Sequence, residues 1–79
     1  MTSGSSDAPG VDSLGRRVRE QRIRAGLTQQ QLADLVKRHR VTITRIEIDK
    51  KRPSPLLVTS LAKALNVSRD ALDPQGVTL

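Results

Sequence analysis

Residues 27–47, LTQQQLADLVKRHRVTITRIE, constrain the fold more than any other stretch. Apolar residues recur there at helical spacing, first at Leu32, Leu35 and Val36, then at Ile43 and Ile46. This reads as two amphipathic helical segments with almost no chain between them. The start of the first is well marked. Thr28 and Gln31 have the T-x-x-Q spacing of a capping box, and Leu27 precedes them as the apolar staple. The junction is not marked. Lys37, Arg38, His39 and Arg40 include no Gly, Pro, Ser or Asn. Leu32, Val36, Ile43 and Ile46 are also compatible with one continuous helix, so local chemistry alone places no turn here.

The rest of the chain has clearer punctuation. Asp12 or Ser13 can cap a first helix whose inner face is Leu14, Val18, Arg22 and Ala25, with Gly26 as a left-handed stop. The third segment spans about Arg40 to Ile48. Lys50 to Ser54 reads as a polar loop, in which Ser54 caps a fourth helix and Pro55 occupies its first position. Val58, Leu61, Ala62 and Leu65 form the inner face of that helix, and Asn66 stops it. Ser68 caps a short fifth helix through Leu72, ended by Asp73-Pro74. Residues 1–12, rich in Ser, Gly and Pro, are expected to be a disordered tail. Residues 13–73 form the domain, and residues 74–79 are expected to be a loose tail.

A chain of 79 residues makes one small domain. It has no Phe, Trp, Tyr or Cys, so its core is aliphatic and it can form neither disulfides nor thiolate metal sites. An aliphatic core of this size favours an all-α bundle, since strands are enriched in aromatic and β-branched residues. No run approaches the ~18 apolar residues of a membrane span, and the N-terminus lacks the apolar core of a signal peptide. The expectation is a soluble cytoplasmic protein, close to the nucleoid. No phosphate loop, nucleophile–base pair or metal cluster is evident, so an enzyme is not expected and no cofactor is called for.

The formal net charge is +6, and its distribution says more than its sum. Between Leu14 and Pro53 twelve basic residues meet four acids, a net +8, while the remainder carries −2. A basic half beside a slightly acidic one suits a polyanion binder. Arg40, Val41, Thr44 and Arg45 would project from the third segment. Arg suits guanine edges, Thr several bases, and Val a thymine methyl.

In order and without insertion, several short runs carry a resemblance over Leu14 to Leu72. They are Leu14-Gly15, Gly26-Leu27-Thr28-Gln29, Leu32-Ala33, Ile43-Thr44-Arg45-Ile46-Glu47, Lys50 through Ser54, and Leu61-Ala62-Lys63-Ala64-Leu65. Together they resemble the lambda-repressor-like, Cro-type helix-turn-helix family of compact five-helix DNA-binding domains. The departures cluster at the turn. Lys37 stands where the family usually has Gly, Arg38 where it has a small apolar residue, and His39 where it has Ser or Thr. Asp49 also occupies a position where Gly is common. These departures leave open a distorted turn or a second helix that runs on by a turn.

The resemblance implies a recognition helix at about 40–48 lying in the major groove, with Arg40, Val41, Thr44 and Arg45 at base-reading positions. At least one of the four is expected to touch only backbone or water. Thr28 and Gln29 open the second helix, where free N–H groups favour a phosphate. With His39 and the Lys50, Lys51 and Arg52 run, they are the candidate DNA-backbone contacts. His39 is read as an imperfect cap or a phosphate neighbour. Arg22 lies on the inner face of the first helix and Glu47 on the inner face of the third. Charges placed there need partners, and both spacing and resemblance pair these two as a structural ion pair. Leu56, Leu57, Val77 and Leu79 are left as ordinary exposed apolars or a self-association patch.

The expected function is therefore a sequence-specific regulator of transcription on double-stranded DNA, of repressor type. It would bind as a homodimer to an inverted repeat, either as a compact regulator or as the DNA-binding part of a longer one. Two alternatives stand beside it: an antitoxin-type repressor that also binds a toxin, and a protein-interaction adaptor built on the same fold.

Overall fold

The computed structural model describes residues 13–74. Residues 1–12 and 75–79, and with them Val77 and Leu79, lie outside the described residues. Five helices follow in order: α1 (Leu14–Arg24), α2 (Gln29–Val36), α3 (Arg40–Glu47), α4 (Pro55–Leu65) and α5 (Arg69–Leu72). No strand occurs among the described residues. None of the helices is long and apolar enough to cross a membrane.

Local chemistry explains most helix ends. Ser13 caps α1 by accepting from the Arg16 N–H at 3.1 Å. Thr28 and Gln31 form the full reciprocal capping box of α2. Ser54 caps α4 through the Leu57 N–H, with Pro55 at the first position. Gly26 and Asn66 both take the positive φ expected of them. The α2–α3 junction is a regular turn, neither distorted nor a continuation of α2. Lys37 adopts left-handed backbone at φ 59°, ψ 47° and ends α2 at Val36. Ser68 precedes α5 as expected, but its hydroxyl makes no capping hydrogen bond.

The core is Val18, Leu32, Ala33, Val36, Ile43, Ile46, Leu57, Val58, Leu61, Ala62, Leu65 and Leu72. α3 packs against both α1 and α2, while α4 packs against α2 and α5. Three inner-face assignments change. Leu35 is 56% exposed, because Ala33 takes the inward place beside Leu32 and Val36. The small Ala33 lets neighbouring helices approach α2 on that side. Leu57 is buried at 5%, since the apolar stripe of α4 is one residue wider than its strict helical spacing suggests. Ala25, the C-cap of α1, is exposed. Leu56 stays outside, 75% exposed.

One close approach fixes the angle between α1 and α3. A Cβ on Gly15 would run into the backbone carbonyls of Ile46 and Glu47, the latter at 2.8 Å. Only glycine lets the first turn of α1 rest against the last turn of α3. Asp49 completes the joint from a left-handed backbone at φ 62°. Its carboxylate accepts from the Gly15 N–H at 3.1 Å and from the Ser13 hydroxyl at 2.7 Å. An anion at a helix N-terminus also meets the favourable end of the dipole.

Candidate nucleic-acid interface

α3 has a sealed side and an open side. Ile43, Ile46 and Glu47, at spacings of three and four, are buried. Arg40, Val41 and Arg45 are exposed, and Thr44 is half-buried between the two sides. The four candidate base-reading residues therefore share the outer half of one two-turn helix.

The sealed side is held by an ion pair. Arg22 Nε donates to Glu47 Oε2 at 2.7 Å, and Arg22 Nη2 donates to Oε1 at 3.1 Å. The Glu47 side chain is 2% exposed and that of Arg22 is 12% exposed. A fork-to-fork pair fixes orientation as well as distance. Arg22 Nη1 also donates to the Leu27 carbonyl at 2.8 Å, tying the loop before α2 into the same knot. The expected Arg22–Glu47 pair is thus present, and it links α1, α3 and the α2 entry.

Gln29 sits differently from a simple phosphate contact. Its Nε2 donates to Glu47 Oε1 at 3.1 Å, and its Oε1 accepts from the Thr44 hydroxyl at 2.8 Å. An amide nitrogen carries two hydrogens, so one Nε2–H is not accounted for by Glu47. The side chain is therefore first a bracket between α2 and α3. Sequence reasoning missed this bracket. The signal available was the i, i+3 spacing of Thr44 and Glu47, which puts both on the side of α3 that an α2 N-terminus can reach.

The remaining candidates lie around this surface. Thr28 is exposed at the N-terminus of α2, its hydroxyl engaged in its own cap. His39 is exposed just before α3 and makes no side-chain cap. Lys50 and Lys51 are exposed past the end of α3. Both of their backbone N–H groups return to the Arg45 carbonyl, at 2.8 and 3.3 Å. Arg52 points elsewhere: its Nη2 lies 3.5 Å from Asp73 Oδ2, at the far end of α5. Asp49 was read only as a departure from glycine, whereas it seats the α3 exit against α1. Among the described residues no cluster of three or more His, Asp or Glu is arranged to hold a metal ion.

A family model described as a helix-turn-helix domain matches residues 13–75. The chain belongs to the helix-turn-helix domain family. The five-helix architecture is that of the lambda and P22 c2 repressor type. The structure is similar to that of the P22 c2 repressor in complex with a synthetic operator, with a TM-score of 0.73 and 30% identity, over 77% of this chain and 92% of that one. It is similar to the restriction-modification controller protein C.AhdI from Aeromonas hydrophila, with a TM-score of 0.73 and 32% identity, over 75% of this chain and 86% of that one. In sequence it is 44% identical over 55 residues to the competence pilus inhibition repressor of Acinetobacter baylyi, which covers 70% of this chain. The chain spans about half the length of that curated relative.

Proposed function

We propose that this chain is a sequence-specific, double-stranded DNA-binding regulator of transcription. The observation that carries the reading is the two-sided α3. One side is locked to α1 and α2 by Ile43, Ile46 and the Arg22–Glu47 pair. The other offers Arg40, Val41, Thr44 and Arg45 on a rigid rod the size of a major groove. Its relatives are described as repressors or a controller protein, one of them bound to a synthetic operator, and none as an enzyme. In this reading α3 enters the major groove, α2 lies across the backbone, and Thr28, Gln29, His39, Lys50 and Lys51 line the phosphates. Arg52 contributes less, because Asp73 competes for it. Such a protein works in the cytoplasm, at the nucleoid. A single module of this size makes few contacts, so binding as a homodimer to an inverted repeat completes the proposal.

The test is a pair of substitutions measured on a site selected from random duplex DNA and on a scrambled duplex. Arg45→Ala should lose about 1–3 kcal/mol of discrimination between the two. Lys51→Ala should weaken both equally and lower the salt slope by about one. The unmodified protein should lose log affinity linearly with log salt, at ~0.9 per phosphate, for about four to six phosphates per protomer. A flat salt titration would remove the DNA reading. Equal weakening of both duplexes by Arg45→Ala, with no preferred sequence recovered, would favour the adaptor role.

A further inference from the structure

The hydrogen bonds behind α3 fix the polarity of one reading position. Glu47 is the carboxylate paired with Arg22. An ionised carboxylate only accepts hydrogen bonds. The Gln29 amide must therefore turn its nitrogen, not its oxygen, toward Glu47 Oε1, at 3.1 Å. That choice is set by chemistry and does not depend on how the two ends of the amide look. It leaves Gln29 Oε1 facing Thr44, whose hydroxyl lies 2.8 Å away. Oε1 carries no hydrogen, so Thr44 must be the donor. The other internal partner of this hydroxyl, the Arg40 carbonyl at 3.2 Å, is also an acceptor. A hydroxyl has one proton, and both neighbours inside the protein demand it.

Resting on the DNA-reading function proposed above, we infer that Thr44 is a one-way reader: it offers only oxygen lone pairs and its methyl group to the groove. It would accept from an exocyclic amine, that of adenine N6 or cytosine N4, and would not donate to guanine O6 or thymine O4. A free threonine can do either. Gln29 is then a positioning residue for specificity. It touches no base, yet it sets which edge Thr44 accepts.

The test uses the whole chain and duplexes selected from a random pool. Thr44→Val keeps the shape and removes the hydroxyl, so the base pair whose preference it changes is the one Thr44 reads. At that position the wild type should prefer adenine or cytosine on the strand facing Thr44. Replacing the exocyclic amine of that base by hydrogen should weaken wild-type binding roughly three- to tenfold, the weight of one hydrogen bond. The same replacement should leave Thr44→Val unaffected. Gln29→Met, which removes the amide while filling its space, should let guanine or thymine in at that position by a similar factor. Melting curves of both variants check that the fold persists. Wild-type binding that does not weaken when that exocyclic amine is removed overturns the inference, as does a Thr44→Val protein with an unchanged motif. In both cases a motif still exists and the regulator reading stands. If no motif emerges from any variant, that reading fails and this inference with it.

Discussion

Two turns in this molecule have the same backbone and different residues. After α2 the chain passes through its C-cap Lys37, Arg38 and His39 and enters α3. After α4 it passes through its C-cap Asn66, Val67 and Ser68 and enters α5. Lys37 and Asn66 share φ 59°, with ψ 47° and 44°. His39 and Ser68 are both extended, at φ −77° and −73°, and neither side chain caps the next helix. The hydrogen bonds repeat too. The N–H of Arg38 reaches the Ala33 carbonyl at 2.9 Å, and that of Val67 reaches the Ala62 carbonyl at 3.0 Å. This is the closing bond of a Schellman motif in each case.

What differs is where the conformation comes from. Asn tolerates the left-handed region, and Val67 packs against the core as the apolar residue after the stop should. The second turn is therefore written in its own three residues. The first is not. Lys37 has no local reason to be left-handed, and Arg38 is exposed where an apolar contact would have anchored the turn. Its shape is imposed by what flanks it: Ile43 and Ile46 in the core, and Glu47 held by Arg22 and Gln29. The consequence is functional. Three positions freed from turn chemistry carry Lys, Arg and His beside the proposed groove-reading helix.

The largest effect is expected from cutting the external brace. Arg22→Ala leaves Glu47 buried, with the Gln29 amide still donating to it. The expected cost is about 3 kcal/mol, at the lower end for stranding one member of a buried pair because Gln29 remains. Chemical denaturation of Arg22→Ala, Glu47→Ala and the double variant checks it. The double variant should lose less than the sum of the single ones. Additive losses would mean that the first turn is not held from outside.

A smaller effect is expected from the second brace, the seat of α3 on α1. Gly15→Ala puts a methyl group against the carbonyls of Ile46 and Glu47, and neither can move without shifting a helix. It also strains the bond from the Gly15 N–H to Asp49. A loss of about 1–3 kcal/mol is expected, the usual range for overpacking. A stability unchanged within half a kcal/mol, roughly the scatter of a neutral surface substitution, would show the joint to be looser than described.

The same contrast explains what was legible in the sequence. α1, α2 and α4 announce themselves by Ser13, Thr28 and Ser54-Pro55, and Asn66 marks the end of α4, because capping is local chemistry; Ser68 marks the start of α5 although its hydroxyl makes no cap. The ion pair is legible because Arg22 and Glu47 each fall on an inner face. The first turn came from the family resemblance rather than from Lys37, Arg38 or His39. Asp49, Gln29 and Gly15 show the limit most plainly. Each acts on a partner 15 or more residues away, across a helix crossing. Apart from the shared α3 face of Thr44 and Glu47, no spacing along the chain reports such contacts. Leu35 and Leu57 exchange expected places for a related reason. Helical periodicity gives the direction of an apolar stripe but not its width, which the neighbouring helices decide.

The smallest expected effect is also the most direct on the comparison itself. Lys37→Gly and Asn66→Gly ask the same question of two nearly identical backbones. A non-glycine, non-Asn residue held left-handed costs on the order of 1 kcal/mol. Glycine removes that cost but gives the unfolded chain more freedom, which returns part of the gain. For Lys37 the balance should favour the variant by about 0.5 kcal/mol, since its side chain is exposed and nothing is lost from the core. For Asn66 the strain is already low, so the entropy of glycine should leave the variant unchanged or slightly weaker, within a few tenths of a kcal/mol. Both are within reach of matched urea melts that share one denaturant slope. The informative quantity is the difference between the two sites rather than either value. A gain at position 37 that exceeds the one at 66 would show that the first turn carries strain which the tertiary brace maintains. Equal responses would mean that Lys37 is as content in this backbone as Asn66, and the distinction between a written turn and an imposed one would fall.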